Sequence, residues 1–494
     1  MAGSITTEEH DARAKNAVPA AACSDTLVWE GRGRSTTYTA RAGHLDVIDD
    51  EGVLEGKMFT VSYIASNVDG ASVDASRRPV SFCFNGGPGS ASVPINFGGI
   101  GPRRVVPNGC GFMDVANYEV EDNPGTLLPE SDLVFMDALG TGWSFVADGY
   151  DTSRVYGLEG DAHAFRRAIC AWLEENGRWG SPVYLVGESY GTMRNAVLMR
   201  YLGEAGVPLA GVVMVSALFD WAQNLPGNDM YYVGMMPSFA ATAQYFGLVG
   251  EGVDENEWFD RASEFASREL APALLLGDLI SGADKRAVAE KFSAFVGLPA
   301  DYLEARNCRI SLEEFRRDLL ADRGMVTGRL DMRFVGTAPL SVQTDSFYFA
   351  CDDPASHAIE GTWYAAFRAF LNTEVGYRNP AHYRLNVWSE IGIGWRWVHN
   401  EPGVDETTVA APNVALDIAV ALRRSPTTKF MIMGGRFDAA TPWWNVEHTV
   451  AQLYLPRDLR DKIEFRRYGC GHMCYVDEPT LKQMTEDLEA FYRV

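Results

Sequence analysis

One short segment, VYLVGESYGTMRN at residues 183–195, constrains the fold of this chain more than any other. A run of apolar and β-branched residues ends in Ser189, which stands between Gly187 and Gly191. A strand that turns directly into a helix strains its corner residue, and side chains two positions away on either side would collide. After the turn, apolar residues recur at helical spacing. The segment therefore predicts a strand, a sharp turn with an exposed serine hydroxyl, and a helix.

The same G-x-S-x-G pattern can also arise by chance, since the chain has 48 glycines. The strand pattern before it and the helix pattern after it favour the turn over chance. A serine hydroxyl is only a weak nucleophile, however. A catalytic serine needs a general base, an acid that orients this base, and hydrogen-bond donors for an oxyanion.

Composition limits the class of protein. The chain has 494 residues, 47% of them hydrophobic, which is enough for a large core with a sizeable insertion. A net charge of -23 argues against nucleic acid or an anionic membrane surface as partner. The polar N-terminal sequence has no apolar signal segment, so we expect a cytoplasmic protein, or a secreted one if the N-terminus has been processed. The eight scattered cysteines are expected to be free thiols.

Strand and helix patterns divide the chain into a polar tail, a first core part, a mainly helical insertion and a second core part: residues 1–24, 25–218, 219–385 and 386–494. In the core parts strands alternate with helices, which predicts a mostly parallel sheet covered by helices on both faces. The insertion contains a capping box between Ser311 and Glu314. We interpret it as a helical cap on an α/β core.

The acid and the base are predicted from their positions after later strands. In hydrolases with such a serine turn, the acid and the histidine follow the serine along the chain. Asp438 follows the strand pattern KFMIM and two glycines, and His472 lies in a loop of small residues just past another strand pattern. His448 also follows Asp438 but fits a helix. We therefore predict Asp438 as the orienting acid and His472 as the general base.

Two other roles for His472 are possible. It could be a structural histidine, or it could bind a metal together with Cys470 and Cys474. The C-x-H-x-C spacing matches no common zinc pattern, so no metal is predicted.

Oxyanion binding requires two backbone N–H groups that point at one place. Tyr190, directly after Ser189, is expected to supply one of them. The glycine-rich loop NGGPG, residues 85–89, follows a buried strand pattern and is expected to supply the other. A plain surface turn is the alternative interpretation of this loop. Usable dinucleotide-binding and P-loop patterns are absent, so no nucleotide cofactor is implied.

Taken together, these segments resemble the serine carboxypeptidase family. FNGGPGSAS, MDALGTGWS, GESYGT, GGRFDAATP and GCGHM occur in the order and approximate spacing of that family, over nearly the whole chain. The resemblance implies an α/β-hydrolase fold with a helical cap, and removal of residues from peptides with a free C-terminus. It makes Ser189 the nucleophile, Asp438 the orienting acid and His472 the general base.

The resemblance also implies which residues bind the substrate. Gly87 and Tyr190 match the oxyanion donors, while Asn85, Gly86 and Glu188 match the positions that hold the terminal carboxylate. Two ionised carboxylates repel each other, so Glu188 should bind this group in its protonated form. Peptide hydrolysis is then expected to be favoured at mildly acidic pH. The alternative is that Glu188 is a structural acid bonded to the neighbouring backbone.

Some positions depart from the family pattern. Gly99 stands where many members have a second glutamate, and Ser90 where a cysteine is common. Arg103 or Arg104 could meet a substrate carboxylate instead, or could be solvated. These departures fit a bacterial branch of the family and leave the three catalytic positions unchanged. An esterase, acyltransferase or lyase with the same three residues, and a binding protein on an inactive scaffold, remain alternatives.

Overall fold

The computed structural model describes residues 21–338, 353–392, 394–399 and 411–493. The predicted polar tail, residues 1–24, lies outside these ranges except for its last four residues. The strands are β1 (Cys23–Gly31), β2 (Arg34–Ile48), β3 (Leu54–Val68), β4 (Ala71–Ser72), β5 (Val80–Phe84), β6 (Arg103–Val105), β7 (Val120–Asp122), β8 (Asp132–Met136), β9 (Phe145–Val146), β10 (Val183–Glu188), β11 (Leu209–Val215), β12 (Met325–Thr327), β13 (Val335–Thr337), β14 (Lys429–Gly435) and β15 (Ile463–Tyr468).

The α-helices are α1 (Leu158–Glu175), α2 (Tyr190–Glu204), α3 (Asp229–Tyr245), α4 (Glu255–Phe265), α5 (Ala271–Leu276), α6 (Gly282–Val296), α7 (Ala300–Ala305), α8 (Leu312–Asp318), α9 (Pro354–Phe370), α10 (Trp388–Ile391), α11 (Ala415–Arg424), α12 (Trp443–Ala451), α13 (Arg457–Arg460) and α14 (Glu478–Tyr492). The predicted capping box is confirmed at the start of α8, where the Ser311 and Glu314 side chains each bond the other's backbone N–H.

Within the described ranges the central sheet has 11 strands, with the main order β1-β2-β3-β8-β5-β10-β11-β14-β15. Pairing is parallel from β8 to β15 and antiparallel from β1 to β8. Every residue of β5, β8 and β10 is buried, as expected for strands covered on both faces. In this order β8 lies between β3 and β5, out of chain order, and the serine turn follows β10. This arrangement is that of an α/β-hydrolase. The predicted fold class is confirmed.

Residues 23–72 differ from the predicted alternation of strands and helices, because they form antiparallel strands only. Two residues, Arg32 and Gly33, connect β1 to β2, and both have positive φ, at 52° and 72°. Such a turn produces a hairpin, whereas a parallel connection needs a crossover of a dozen or more residues. The strand–helix alternation begins only with β5.

Apolar side chains pack against both faces of the sheet and within the segment between β11 and β14. Helices α1, α2, α11 and α12 cover one face, and α9 and α14 cover the other. A separate cluster joins α3, α4, α6 and α8. None of the helices in the described ranges has the length and apolar content that crossing a bilayer requires. The described cysteines are free thiols.

Candidate active site

Ser189 forms the corner between β10 and α2. Its backbone has φ 61° and ψ -131°, a strained conformation for a residue with a side chain. A Cβ atom on Gly187 would lie 2.5 Å from the carbonyl oxygen of Gly191, so no side chain fits there. A Cβ atom on Gly191 would lie 3.2 Å from carbonyl oxygens at the end of β5. The turn therefore depends on both glycines, and it leaves Ser189 partly exposed between buried neighbours.

Asp438 and His472 lie in the loops that follow the adjacent strands β14 and β15. The His472 Nδ1–H donates to Asp438 Oδ2 at 2.7 Å. The other carboxylate oxygen accepts from the backbone N–H groups of Ala440 and Thr441, at 2.8 and 3.0 Å. The Thr441 hydroxyl also donates to Oδ2, at 2.7 Å. Asp438 is thus fixed, and it leaves Nε2 as the free ring nitrogen of His472.

The pKa of His472 is raised above its ordinary value. Burial disfavours the charged imidazolium, but the charge of Asp438 and the hydrogen bond to it outweigh burial. The charge of Glu188 adds to this effect. An imidazole stabilised in its charged form by an acid can accept a proton during a reaction.

The end of β11 links the serine turn to the histidine loop. The Ser189 N–H donates to the Val215 carbonyl at 3.0 Å, and the next residue, Ser216, donates from its hydroxyl to the His472 carbonyl at 2.5 Å. Within the described ranges the Ser189 hydroxyl forms no hydrogen bond to the His472 ring. Catalytic hydrogen bonds are often long or poorly aligned until substrate binds.

The NGGPG loop packs directly against the serine turn. A Cβ atom on Gly86 would lie 2.5 Å from the backbone nitrogen of Tyr190. Gly87 has φ 105°, which favours glycine, and its N–H has no hydrogen-bond partner in the described part of the chain. Tyr190 is the first residue of α2, so its N–H is not used within the helix. Both predicted oxyanion donors therefore belong to backbone segments that touch.

Glu188 is buried and paired with Asn85. The Asn85 side-chain N–H donates to Glu188 Oε1 at 2.8 Å. Asn85 is held in turn, since its Oδ1 accepts from Ile95 N–H and its carbonyl accepts from Arg194, both at 2.9 Å. Arg194 is itself buried in an ion pair with Asp161 at 2.7 Å. The second oxygen, Glu188 Oε2, is buried and has no hydrogen-bond partner in the described ranges.

The Tyr475 side chain lies beside the buried pair of Glu188 and Asn85, although no sequence pattern indicates this position. It follows His472 by three residues, and its ring fills the space beside Gly99, where a Cβ atom would lie 3.1 Å from the ring. Its hydroxyl is close enough to Glu188 for each to affect the other's pKa. Within the described ranges neither that hydroxyl nor Glu188 Oε2 forms a hydrogen bond, so the effect of each group on the other is electrostatic.

Burial dominates the ionisation of Glu188 and raises its pKa to about 7. The charge of His472, the Tyr475 hydroxyl and the Asn85 amide oppose this rise. Glu188 therefore changes its protonation state near neutral pH, beside the serine and the imidazole. A glutamate with such a pKa can donate a hydrogen bond to an anion in its protonated form.

A segment beginning at Arg329 binds the loops that carry Asp438 and His472, which no sequence pattern indicates. The Leu330 carbonyl accepts from the His472 N–H at 2.6 Å, and the Arg329 carbonyl accepts from the Ala439 N–H at 3.2 Å. The Asp331 carboxylate accepts from the N–H of the residue before His472, at 3.0 Å. This segment therefore holds the acid loop and the histidine loop together.

Arg103 and Arg104 form ion pairs elsewhere. Arg103 pairs with Asp122 at 2.9 Å and Arg104 with Glu121 at 2.6 Å, both on strand β7. His448 lies in α12 and stacks on a tryptophan ring. No three His, Cys, Asp or Glu side chains converge as a metal site in the part of the chain that is described.

The sheet order and the serine turn define this protein as an α/β-hydrolase. Residues 35–208 match the family model of the serine carboxypeptidases, which confirms the predicted resemblance over this part of the chain. The matched range contains Asn85, Glu188 and Ser189 but ends before Asp438 and His472. The fold and this match together indicate a hydrolase. A comparison with curated proteins gives no match.

Solved structures with a similar fold are distant. The peroxisomal α/β-hydrolase of Saccharomyces cerevisiae is 8% identical, with 96% of this chain and 90% of that chain covered and a TM-score of 0.34. A Legionella pneumophila protein described as a hydrolase is 13% identical, with 93% of this chain and 90% of that chain covered and a TM-score of 0.36. An esterase from Pyrococcus furiosus is 9% identical, with 91% of this chain and 90% of that chain covered and a TM-score of 0.32. Identities and scores this low say nothing about substrate.

Proposed function

We propose that this protein is a serine carboxypeptidase, which releases residues from the C-terminus of peptides through an acyl-enzyme on Ser189. The observation that carries the proposal is the buried Glu188, held by Asn85 directly before the serine, with one carboxylate oxygen that accepts no hydrogen bond within the described ranges. Ester hydrolysis does not require a buried acid at this position. A carboxypeptidase must hold the terminal carboxylate beside the nucleophile, and a protonated glutamate can do so.

In this mechanism His472 accepts the Ser189 proton through Nε2 while Oγ attacks the scissile carbonyl. Asp438 keeps Nδ1 protonated and stabilises the imidazolium that forms. The N–H groups of Gly87 and Tyr190 bind the negative oxygen of the tetrahedral intermediate. His472 then protonates the leaving amine. A water molecule repeats the sequence on the acyl-enzyme and releases the shortened peptide.

The terminal carboxylate of the peptide would lie against Glu188, Asn85 and the Gly86 backbone. Protonated Glu188 donates one hydrogen bond to it, and Asn85 contributes its second amide hydrogen. Ionised Glu188 repels the same carboxylate, so the productive form of the free enzyme has Glu188 protonated and His472 neutral. These two requirements oppose each other as pH changes. Because burial raises the pKa of Glu188 to about 7, we expect peptide hydrolysis in a band around neutrality rather than at the mildly acidic pH expected from the sequence.

A Glu188→Gln variant tests this arrangement. In the wild type, we expect kcat/KM for peptides to fall about tenfold for each pH unit above the pKa of Glu188, which burial raises to about 7. Glutamine is neutral at every pH, so the variant should keep its peptide activity in this alkaline range. Loss of the carboxylate also removes one cause of the raised pKa of His472. The acid limb of ester hydrolysis should therefore move to lower pH.

The control is Glu204→Gln, at the exposed C-terminal end of α2. This variant should reproduce both wild-type pH profiles. If Glu188→Gln lost peptide and ester hydrolysis equally and kept the wild-type alkaline limb, Glu188 would be a structural acid, and the carboxylate-binding role would be wrong.

The proposed activity is tested by mass spectrometry of a peptide library after incubation with the enzyme. Release of single residues from free C-termini, absent for C-terminally amidated peptides, is the expected result. Turnover of esters alone, with intact peptides at every pH, would favour an esterase. Acyl transfer to an added amine or alcohol in place of hydrolysis would favour an acyltransferase. The absence of turnover and of fluorophosphonate labelling would favour a binding protein.

A further inference from the structure

The backbone of Arg329 is fixed between the two catalytic loops. Its carbonyl binds the N–H of Ala439, the residue after Asp438, and the carbonyl of the next residue, Leu330, binds the His472 N–H. The Arg329 N–H is held from the other side by the Asp353 carboxylate at 2.9 Å. The side chain therefore starts from a rigid point beside the acid and the base.

The Arg329 guanidinium is not paired with a carboxylate of the described part of the chain. Its side chain is half-buried, yet it forms no hydrogen bond, ion pair or aromatic contact within the described ranges. Other buried arginines are neutralised, as Arg194 is by Asp161 and Arg333 by Asp331, both at 2.7 Å. Among the described residues, Arg329 is thus a half-buried cation without a side-chain partner, in a chain of net charge -23.

The charge of Arg329 affects the pKa values of two side chains, His472 and Tyr231. It opposes protonation of His472 and lowers the pKa of the Tyr231 hydroxyl, although burial leaves that pKa raised to about 12. Three carboxylates of this region have other partners. Asp438 binds His472, Glu313 binds Arg316 at 2.9 Å, and Asp353 accepts from the backbone N–H groups of residues 329 and 330. The groups that act most on Glu188 are His472, Tyr475, Asp438 and Asn85, without Arg329. No hydrogen bond or ion pair joins the Arg329 side chain to Glu188 within the described ranges.

We propose that Arg329 binds a carboxylate of the substrate, so that the enzyme prefers substrates with an acidic group close to the scissile bond. A guanidinium suits a carboxylate because its planar donors can form two parallel hydrogen bonds with the two oxygens. The carboxylate comes either from an acidic side chain next to the scissile bond or from the peptide terminus. This inference rests on the proposed function in that it uses the same nucleophile.

The test compares Arg329→Gln with the wild type on pairs of substrates. The first pair is an N-blocked glutamate ester and the matching phenylalanine ester, which differ in the acyl side chain and have no free terminus. The second pair is a neutral N-blocked ester whose leaving group carries a free terminal carboxylate and the matching ester whose leaving group is uncharged. We expect the acidic-to-neutral ratio of kcat/KM to fall by about tenfold in one pair. A fall in the first pair assigns the side chain, and a fall in the second assigns the terminus.

Two further variants separate a charge effect from a folding effect. Arg329→Lys keeps the charge without the planar fork and should restore part of the ratio. Arg323→Gln removes an exposed arginine of the same part of the chain and should leave every ratio unchanged. An unchanged ratio in both substrate pairs for Arg329→Gln, or an equal fall for every substrate, would overturn the proposal.

A binding measurement tests the role of Arg329 without requiring peptidase activity. Calorimetric titration of N-acetylglutamate into the Ser189→Ala variant, with and without Arg329→Gln, needs no turnover. Binding that is weakened by about tenfold or more when Arg329 is replaced supports the proposal, even if no peptide is ever cleaved. Equal binding to both proteins contradicts it, even if the enzyme is a carboxypeptidase.

Discussion

A Ser189→Ala variant is expected to lose turnover of peptides and esters by about a million-fold, because the only nucleophile of the proposed mechanism is removed. Alanine fits the same corner as serine, since the turn is shaped by the flanking glycines rather than by the hydroxyl. The melting temperature should therefore stay close to the wild-type value. Steady-state kinetics on one ester and one peptide, together with a thermal melt, measure both results.

Covalent labelling gives an independent reading of the same prediction. A fluorophosphonate probe should label the wild type and fail to label Ser189→Ala. Ser153→Ala, which alters an exposed serine in a turn before α1, should label like the wild type. Labelling of a well-folded Ser189→Ala protein at the wild-type rate would show that the nucleophile is another residue, and the proposed function would fail with it.

An Asp438→Asn variant is expected to lose about 10⁴-fold in kcat. One carboxylate oxygen of Asp438 accepts from His472, and the other accepts from two backbone N–H groups. An amide must turn its NH₂ group toward one of these sets of donors. It thereby either stabilises the wrong tautomer of His472 or leaves buried N–H groups without an acceptor. Because Asp438 also raises the pKa of His472, the residual activity should extend to lower pH.

The matched control is Asp458→Asn, in the short exposed helix α13, which should keep wild-type kinetics. A pH profile separates the catalytic effect from a loss of folding, since partial unfolding lowers activity without moving the acid limb. Activity within tenfold of the wild type would mean that Asp438 does not orient His472 during catalysis.

The serine turn and the contact between the His472 and Asp438 loops could be predicted from sequence because their signals are local. Gly187 and Gly191 lie where a Cβ atom would come within 2.5 and 3.2 Å of carbonyl oxygens, and Gly86 after β5 lies where a Cβ atom would contact the same turn. Asp438 and His472 directly follow strand patterns, and parallel neighbouring strands bring their ends to one edge of a sheet. The serine carboxypeptidase resemblance is confirmed only over residues 35–208. The roles of the individual side chains remain predictions.

Tyr475 and Arg329 could not be predicted, because their positions depend on tertiary contacts. Tyr475 meets Gly99 from more than 300 residues away in the chain, and no spacing rule connects the two. Arg329 belongs to a segment that the patterns assign to the helical insertion, where an arginine is ordinarily solvated. The same limitation affects Arg103 and Arg104, whose partners on β7 were not evident from the sequence.

The backbone carbonyl groups of Arg329 and Leu330 connect the loop of Asp438 to the loop of His472 through hydrogen bonds. Deleting the chain between β11 and β14 to obtain a smaller enzyme would remove these two hydrogen bonds as well as the helices. Both loops would then lose backbone partners at once, although every residue of the serine turn, the acid and the imidazole would still be encoded. A minimal version of this enzyme must therefore retain the stretch around these two carbonyls.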